Sequence, residues 1–521
     1  MNAIPITRVR SITRAYEATS TKTRLDDWDR KAYGPNAALD DADYARARSQ
    51  DAVRNNPWIN NALDLIVSHI IGCGIQPRPK IADSGLRTEL LDLWNLSVPE
   101  LDADGTQDFY GWQTLLTRAR HESGEVFIRR RPRFPSDGLT VPVQFQALEA
   151  DLLPLRHNAM NGSNPIRQGI ERTPYGKRAA YWFYPEHPAD RSLTGTTTEL
   201  VRVPAEQVLH HYTPNRPGQL RGEPTPMSVL LRARNMDGFE SAELTRKKAR
   251  AKFVGAIYRE TPEDNPISDQ APKEEDGRAY VDIEDGYMLQ LAYNERVALE
   301  SGDSGGSGLI DFLRTQLRAI AAGMGVPFEL MTGDYSGTND RIMRVILNTF
   351  YRRLEIQQDA LVVQVLQPVW AWWLDAVNAA GLLPLRGYTE SNRARREWQR
   401  CEWRAHAWSY VNPLQEAQTT VLKIQNGLTS RTAAVAESGW DAEDIDRQQA
   451  IDRQRERDLD LNYGASAPEP PPADDPPPPE KPAQAVHIHL PHGKVIKTPV
   501  RDVATGLVTQ IIETPEPDDG P

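Results

Sequence analysis

The sequence predicts an α+β chain of several domains, and three observations carry that expectation. Helical and strand-like runs are mixed between residues 84 and 215, the strands set apart by Pro, Gly and Asn turns. A β-patterned stretch at 254–308 is bracketed by helical stretches at 226–253 and 309–324. A single apolar stripe at helical spacing then runs on from Asp340. At 521 residues the chain exceeds one core, and ordinary domain sizes give roughly three or four.

Residues 1–41 are polar and irregular and are expected to form a flexible N-terminal arm. Ala52, Trp58, Ile59, Ala62, Leu63, Ile66, Val67 and Ile70 then recur at helical spacing. Pro57 suits a first helical turn with Asn56 as its cap, and Gly72 and Gly74 end the run. Helices are expected at 86–96 and 109–123, and strands at 125–130, 141–147, 179–184 and 207–212 in a mainly antiparallel sheet. The helix at 226–253 closes on Arg246, Lys247, Lys248, Arg250 and Lys252. These cations suit the negative end of the helix dipole, and they equally suit a surface turned to DNA. In 254–308, strands near 279–283 and 287–291 flank a Glu284-Asp285-Gly286 turn.

The helix at 309–324 stops at Gly325-Val326-Pro327. After a loop at 332–339, the stripe Ile342, Val345, Ile346, Phe350, Leu354, Leu361, Val365 and Val369 marks a long helix. Its part before Pro368 spans on the order of 40 Å. Helices follow at 414–427, 430–438 and 442–461, the last densely charged in both signs. A Pro-rich acidic linker at 465–482 and a hairpin-like alternation at 486–514 complete the chain.

Net charge is −11, from 72 acidic and 61 basic residues, which argues against a sequence-specific duplex binder with a basic face. A conduit tolerates that balance, because every neutralised phosphate adds affinity that a sliding duplex does not need. The two cysteines, Cys73 and Cys401, lie far apart and exclude a disulfide scaffold or zinc ribbon as the expected class. The polar, basic N-terminal stretch lacks a signal peptide's apolar core. The apolar stretches 63–75 and 369–383 are too short or carry Asp64, His69 and Asp375, so neither is expected to span a bilayer. The expectation is a soluble protein in a reducing compartment, with no membrane partner.

Gly302-Asp303-Ser304-Gly305-Gly306 matches the string around the nucleophile of chymotrypsin-like proteases. That chemistry needs a histidine base and an orienting carboxylate, and no matching histidine segment precedes it, so a flexible loop is the simpler account. His487, His489 and His492 could meet a metal on one strand face, but no fourth ligand is evident and a solvated strand is preferred. His210-His211 alternates across a strand and reads as structural. No GxxxxGK[ST] occurs, which disfavours a P-loop ATPase. Trp370, Trp372, Trp373, Trp398, Trp403 and Trp408 read as packing residues rather than a base-stacking platform. No catalytic residue, metal ligand or cofactor is assigned.

Several segments, in chain order, resemble one known family. They are RSQDAVRNNPWINNALDLIVSHIIGCGIQP (48–77), the Gly-Glu of HESGEVFIRR (121–130), VPVQFQALEADLL (141–153) and GIERTPYGKRAAYWFYPEHP (169–188). VLHHYTPNRPGQLRGEP (208–224), LRAIAAGMGVPFELMTGDYSGTND (317–340) and YVNPLQEAQTTVLKIQNGLTSRTAAVAESGWDAEDIDRQ (410–448) follow. RPGQLRG at 216–222 and GVPFELMTGDYS at 325–336 are the more specific of them. Jointly, over roughly 42–462, the chain resembles the lambda-type family of phage portal proteins. One departure follows Tyr335-Ser336, where the family often continues with Asn and small hydroxyl residues and this chain has Asn339-Asp340-Arg341-Ile342. The tail beyond Gly464 has no counterpart.

The resemblance implies a portal-protein fold with wing, two-helix stem, small β clip, long spine helix and helical crown. Set on this chain, 42–225 would be the wing, 226–253 and 309–324 the stem helices, and 254–308 the clip. The tunnel-loop region would be 325–340, the long helix and wing return 341–412, the crown 413–464, and the linker and tail 465–521. It further implies a dodecameric ring at one capsid vertex, passing double-stranded DNA non-specifically during packaging and ejection. The implied partners are the large terminase subunit, the major capsid or scaffold protein, and a head-completion or tail adaptor protein. Arg246, Lys247, Lys248, Arg250 and Lys252, with Asp334, Tyr335, Ser336, Thr338 and Asn339 of the loop, become DNA-channel candidates. An ordinary helix–helix turn is the other reading of that loop. Acidic Asp441, Glu443, Asp444 and Asp446 would repel DNA, or match their helix's N-terminal dipole. Two other readings stay open, a different head–tail connector and a hydrolase using Ser304.

Overall fold

The computed structural model describes residues 32–190, 199–252, 256–259, 273–275, 278–280, 295–298, 306–408, 413–461, 495–501 and 508–515. The first helical run is two helices, α1 (Ala42–Asn55) and α2 (Pro57–Ile71). Asn56 between them is extended, as a residue before proline must be, and its side chain accepts the amide N–H groups of Trp58 and Ile59 at 3.1 Å. Gly72, at φ 57°, closes α2. A short strand, β1 (Gln76–Pro79), leads to α3 (Ser84–Ser97) and α4 (Phe109–Ser123), capped by Asp83 and Asp108.

The strands that follow form two antiparallel sheets, where the sequence predicts one. The first places β2 (Glu125–Pro132) between β3 (Val143–Glu149) and β9 (Val208–Tyr212). The second runs in chain order through β4 (Ala159–Asn161), β5 (Asn164–Arg167), β6 (Ile170–Arg172), β7 (Arg178–Phe183) and β8 (Val201–Pro204). β3 and β9 fill both edges of β2, and β7 pairs with β6 and β8. The sheets meet instead through side chains, with Phe127 buried against Tyr181 and Phe183.

Next come α5 (Leu230–Lys252) and the short strands β10 (Ala256–Arg259), β11 (Lys273–Glu275), β12 (Arg278–Tyr280) and β13 (Glu295–Ala298). β10 pairs with β13, and β11 with β12. Only the start of the predicted 279–283 strand is described, and the Glu284-Asp285-Gly286 turn lies outside the described residues. Helices α6 (Gly306–Met324), α7 (Phe328–Thr332) and α8 (Asp340–Leu361) follow, then a π-helical turn at Val362–Leu366 and α9 (Gln367–Ala380). The wider turn lets the helix continue past Pro368, which lacks the N–H an α-helical turn requires. It also places Gln364 against the outer edge of β9, where its side-chain oxygen accepts Tyr212 N–H at 3.1 Å and meets His211 at 2.7 Å.

Residues Asp340–Ala380 are long and apolar enough to cross a membrane by length and composition, but half of that apolar window is buried in the chain. Val365, Val369, Trp370 and Trp373 belong to the main core, with Trp94 and Trp112. Trp94, Trp370 and Trp373 pack on one another, and Trp373 donates to Ser97 Oγ at 3.0 Å. Helix α10 (Asn392–Trp398) and β14 (Cys401–Arg404), which pairs with β1, precede α11 (Pro413–Gln425), α12 (Arg431–Glu437) and α13 (Ala442–Asp458). Residues Ile445–Pro521 form a separate compact unit, which holds most of α13 and the hairpin of β15 (Val495–Arg501) and β16 (Val508–Pro515). His487, His489 and His492 lie outside the described residues.

One buried carboxylate joins the elements of the first half. Glu125, fully buried on β2, accepts from Arg46 of α1 at 2.9 Å, Arg221 at 2.7 Å, His210 at 2.9 Å and Gly222 N–H at 3.0 Å. Arg221 also donates to the carbonyls of Gln168 and Leu153, and Arg46 to Asp151 at 2.8 Å. Gly124 and Gly222 make the approach feasible, since a Cβ on Gly222 would sit 2.0 Å from Gly124 O. Burial alone pushes the Glu125 carboxyl up, but Arg221, His210 and Arg46 outweigh it and hold the group well below the usual carboxylate range. Burial pushes His210 down to about 4 and His211 to about 3. His210 is therefore neutral, donating from Nε2 to Glu125 and accepting Arg178 at Nδ1, 2.7 Å away.

Two outcomes are expected in urea unfolding. Glu125→Gln strands two buried guanidiniums and costs about 3–5 kcal/mol, and a change within error of zero contradicts the account. Because the unfolded histidines take protons near 6.5 and the folded ones resist to about 4 and about 3, stability falls as pH drops through that window. A midpoint that stays flat from pH 7 down to 4 contradicts it.

Candidate functional site

The basic end of α5 and the loop before α8 are the segments that sequence reasoning singles out. Helix α5 runs antiparallel to α6 through contacts at three levels. Gly323 faces Val229, where a Cβ would lie 2.2 Å from Cγ1, so only glycine permits the approach. Arg232 donates to Gln316 Oε1 at 2.7 Å, and the rings of Phe239 and Phe312 meet at 5.0 Å. Leu231, Leu244 and Ile310 of this pair stay uncovered in the single chain, Leu231 at 74% exposure. Arg246 is exposed and bridges to Glu243 one turn back at 2.6 Å, while Lys247 and Lys248 are exposed on the same helix. Arg250 and Lys252 belong to the last turns of α5, and their side chains lie outside the described residues.

Gly333, at φ 70°, ends α7 and opens the loop. Asp334 turns back on its own loop and on α6. Its carboxylate accepts Ser336 N–H at 3.1 Å and the Ser336 hydroxyl at 2.5 Å, and pairs with Arg314 of α6. Arg314 also donates to Ser336 Oγ at 2.6 Å. The Ser336 hydrogen bonds, with Arg314 behind them, hold the Asp334 carboxyl below its usual value. Thr338 N–H closes the turn on Tyr335 O at 3.1 Å, and Asn339 caps α8 by accepting Ile342 N–H at 2.9 Å. Tyr335, 52% exposed, is the side chain the loop presents outward. Asp334, Ser336 and Asn339 are thus engaged within the chain.

Sequence reasoning missed Arg314, because nothing local links residue 314 to a loop twenty positions on. It also missed the cations beside the loop, Arg318 stacked over Phe328 at 5.3 Å and Arg341 and Arg344 in the first turns of α8.

The remaining candidates have other partners. Asp441 caps the first turn of α13 and pairs with Arg404 at 3.4 Å, Glu443 pairs with Arg87, and Asp444 with Arg78 at 3.2 Å. These acids are thus engaged with arginines and with the helix terminus. Gly302–Gly305 of the protease-like string lie outside the described residues, and Gly306 is the first residue of α6. Glu149, Asp151 and His187 approach one another, but Asp151 already serves Arg46 and Gln50, and His187 Nδ1 accepts Ala189 N–H at 3.2 Å.

The model of the phage portal protein, lambda family, matches residues 21–358. The probable portal protein of Halomonas phage phiHAP-1 is 24% identical over 485 residues, covering 88% of this chain and 90% of that protein. Portal protein B of Escherichia phage lambda is 22% identical over 475 residues, covering 83% and 88%, and the portal protein of Escherichia phage N15 is 23% identical over 486 residues, covering 84% and 89%. Among solved structures, a chain from the neck of the empty gene transfer agent particle overlays with a TM-score of 0.46 at 15% identity, covering 80% of this chain and 97% of that one. A chain from the virion of the native particle gives 0.45 at 15% identity, covering 76% and 93%. The features converge on a structural component of a virion rather than a catalyst. The chain belongs to the lambda family of phage portal proteins.

If Arg314 latches the loop through Asp334, Arg314→Gln speeds amide exchange at 334–338 and leaves the melting temperature unchanged. Unaltered exchange there shows the pair to be incidental.

Proposed function

We propose that this chain is the subunit of a dodecameric portal ring at one capsid vertex, through which double-stranded DNA enters and leaves. In this reading α5 and α6 are the stem pair, the short strands between them the clip, and 42–225 the wing. The loop at 333–339 faces the tunnel, α8 and α9 form the spine, and 413–464 the crown. One observation carries the reading: the antiparallel α5–α6 pair leaves Leu231, Leu244 and Ile310 uncovered in the single chain. Exposed apolar side chains on two paired helices call for neighbours, and a ring of identical subunits supplies one on each side.

DNA passage in such a ring requires contact without grip. Lys247 and Lys248 offer phosphates point charges without reading bases, and Tyr335 reaches outward from a loop pinned at its base. The acidic balance of the chain limits the number of phosphates neutralised, so the duplex slides. The large terminase subunit supplies ATP hydrolysis and docks at the clip, which later receives a head-completion or tail adaptor protein. Capsid or scaffold protein meets the wing.

Neutralising two cations on the channel helix tests this directly. Lys247→Gln/Lys248→Gln is expected to assemble normally and to package several-fold less DNA, read as full heads per assembled particle. Normal rings with normal packaging and retention overturn the assignment of these residues.

A further inference from the structure

The wing carries a charged surface that the channel reading does not use. Residues 127–134 read Phe-Ile-Arg-Arg-Arg-Pro-Arg-Phe, and β2 ends within them. Successive strand residues face opposite ways, so Arg129, Arg131 and Arg133 continue the face that begins with buried Phe127. Burial falls along the row, from half-buried Arg129 and Arg131 to exposed Arg133. Arg130 points to the other face and reaches Asp375 at 3.8 Å.

Across the ladder the row meets only neutral partners. Arg131 Nε donates to Gln146 Oε1 at 2.9 Å, and Arg133 Nε donates to Gln144 Oε1 at 2.8 Å. Gln144 spends its own amide N–H groups on the carbonyls of Glu100 and Asp102. Arg129 Nε is buried with no hydrogen-bond partner. None of the three makes an ion pair among the described residues, and Asp104 is the acid whose field reaches Arg131. Partial burial, and then the next arginine along, push Arg129 and Arg131 below the usual arginine range. Guanidiniums set in a row at that cost are poised for a multivalent anion.

We propose that Arg129, Arg131 and Arg133 dock an acidic, extended segment of a partner polypeptide. A strand repeats its side chains every ~6.6–6.8 Å on one face, so carboxylates at alternate positions of the incoming segment match the row. Each guanidinium keeps N–H groups for a forked contact to a carboxylate. Phe134, 75% exposed at the end of the row, gives an apolar side chain of the partner a surface to cover. Duplex DNA fits less well. Proteins that hold it commonly neutralise about six to ten phosphates, and three leave weak, salt-sensitive binding.

The test uses the full chain and a short fluorescein-labelled peptide with Glu at every second position, read by fluorescence anisotropy at moderate salt. Arg131→Gln/Arg133→Gln is expected to weaken the peptide on the order of tenfold. Arg393→Gln/Arg396→Gln, on exposed α10, leaves it unchanged. A peptide of equal charge with its Glu residues in one block binds more weakly than the alternating one. Arg133→Gln alone, at the exposed end, moves affinity in the same direction and serves should the double variant fold poorly. Wild-type affinity in Arg131→Gln/Arg133→Gln and in Arg133→Gln overturns the proposal. So does a short duplex that outcompetes the peptide, which assigns the face to nucleic acid. Peptide bound by dissociated chains but not by assembled ones also overturns it, because a second copy then fills the face.

Discussion

The buried carboxylate of Glu125 is the interaction on which the other elements depend. Taking a charge out of water is costly, and the fold recovers that cost only by bringing two arginines, a histidine and a backbone amide to the same two oxygens. Those groups come from α1, β9, and the loop entering α5, so the carboxylate is satisfied only when all three are in place. The loop through Gly222 and Pro224 then leads straight into α5. His121 of α4 holds Thr225 Oγ1 at 2.8 Å on the same path. The ion network thus sits where the chain enters the helix pair.

Charge elsewhere is distributed with similar economy. The chain is acidic overall, yet the acids at the start of α13 are taken up by Arg78, Arg87 and Arg404, and Asp334 by Arg314. Lys247 and Lys248 on α5 and Arg129, Arg131 and Arg133 at the end of β2 make no ion pair among the described residues. A net charge therefore says little about where a polyanion or an acidic polypeptide finds a surface; the unpaired cations decide that.

Local signals in the sequence were legible where one residue type has one physical use. Asn56-Pro57 marks a cap and a helix start, and Gly72 and Gly325 mark left-handed stops. The tryptophans from Trp370 to Trp408 pack in or against the main core, as their apolar bulk demands. Strands β4 to β6 were invisible because three or four residues give alternation nothing to show. The β1–β14 pair joins residues more than 300 positions apart, and the π-helical turn answers to Pro368 and to the edge of β9 rather than to its own sequence. The Gly-Glu at 124–125 and RPGQLRG at 216–222 each looked like isolated motifs. Their meeting through Glu125, Arg221 and two opposed glycines could be seen only in three dimensions. Arg314 shows the same limit, since it lies on α6 and its partner Asp334 in the loop before α8.

The most direct test of the central claim, that this chain builds a ring around a channel, is negative-stain electron microscopy with mass photometry on the purified full chain. The account predicts rings of about twelve subunits around an open centre. A compact, closed oligomer without a channel contradicts it and returns the chain to the other head–tail connectors.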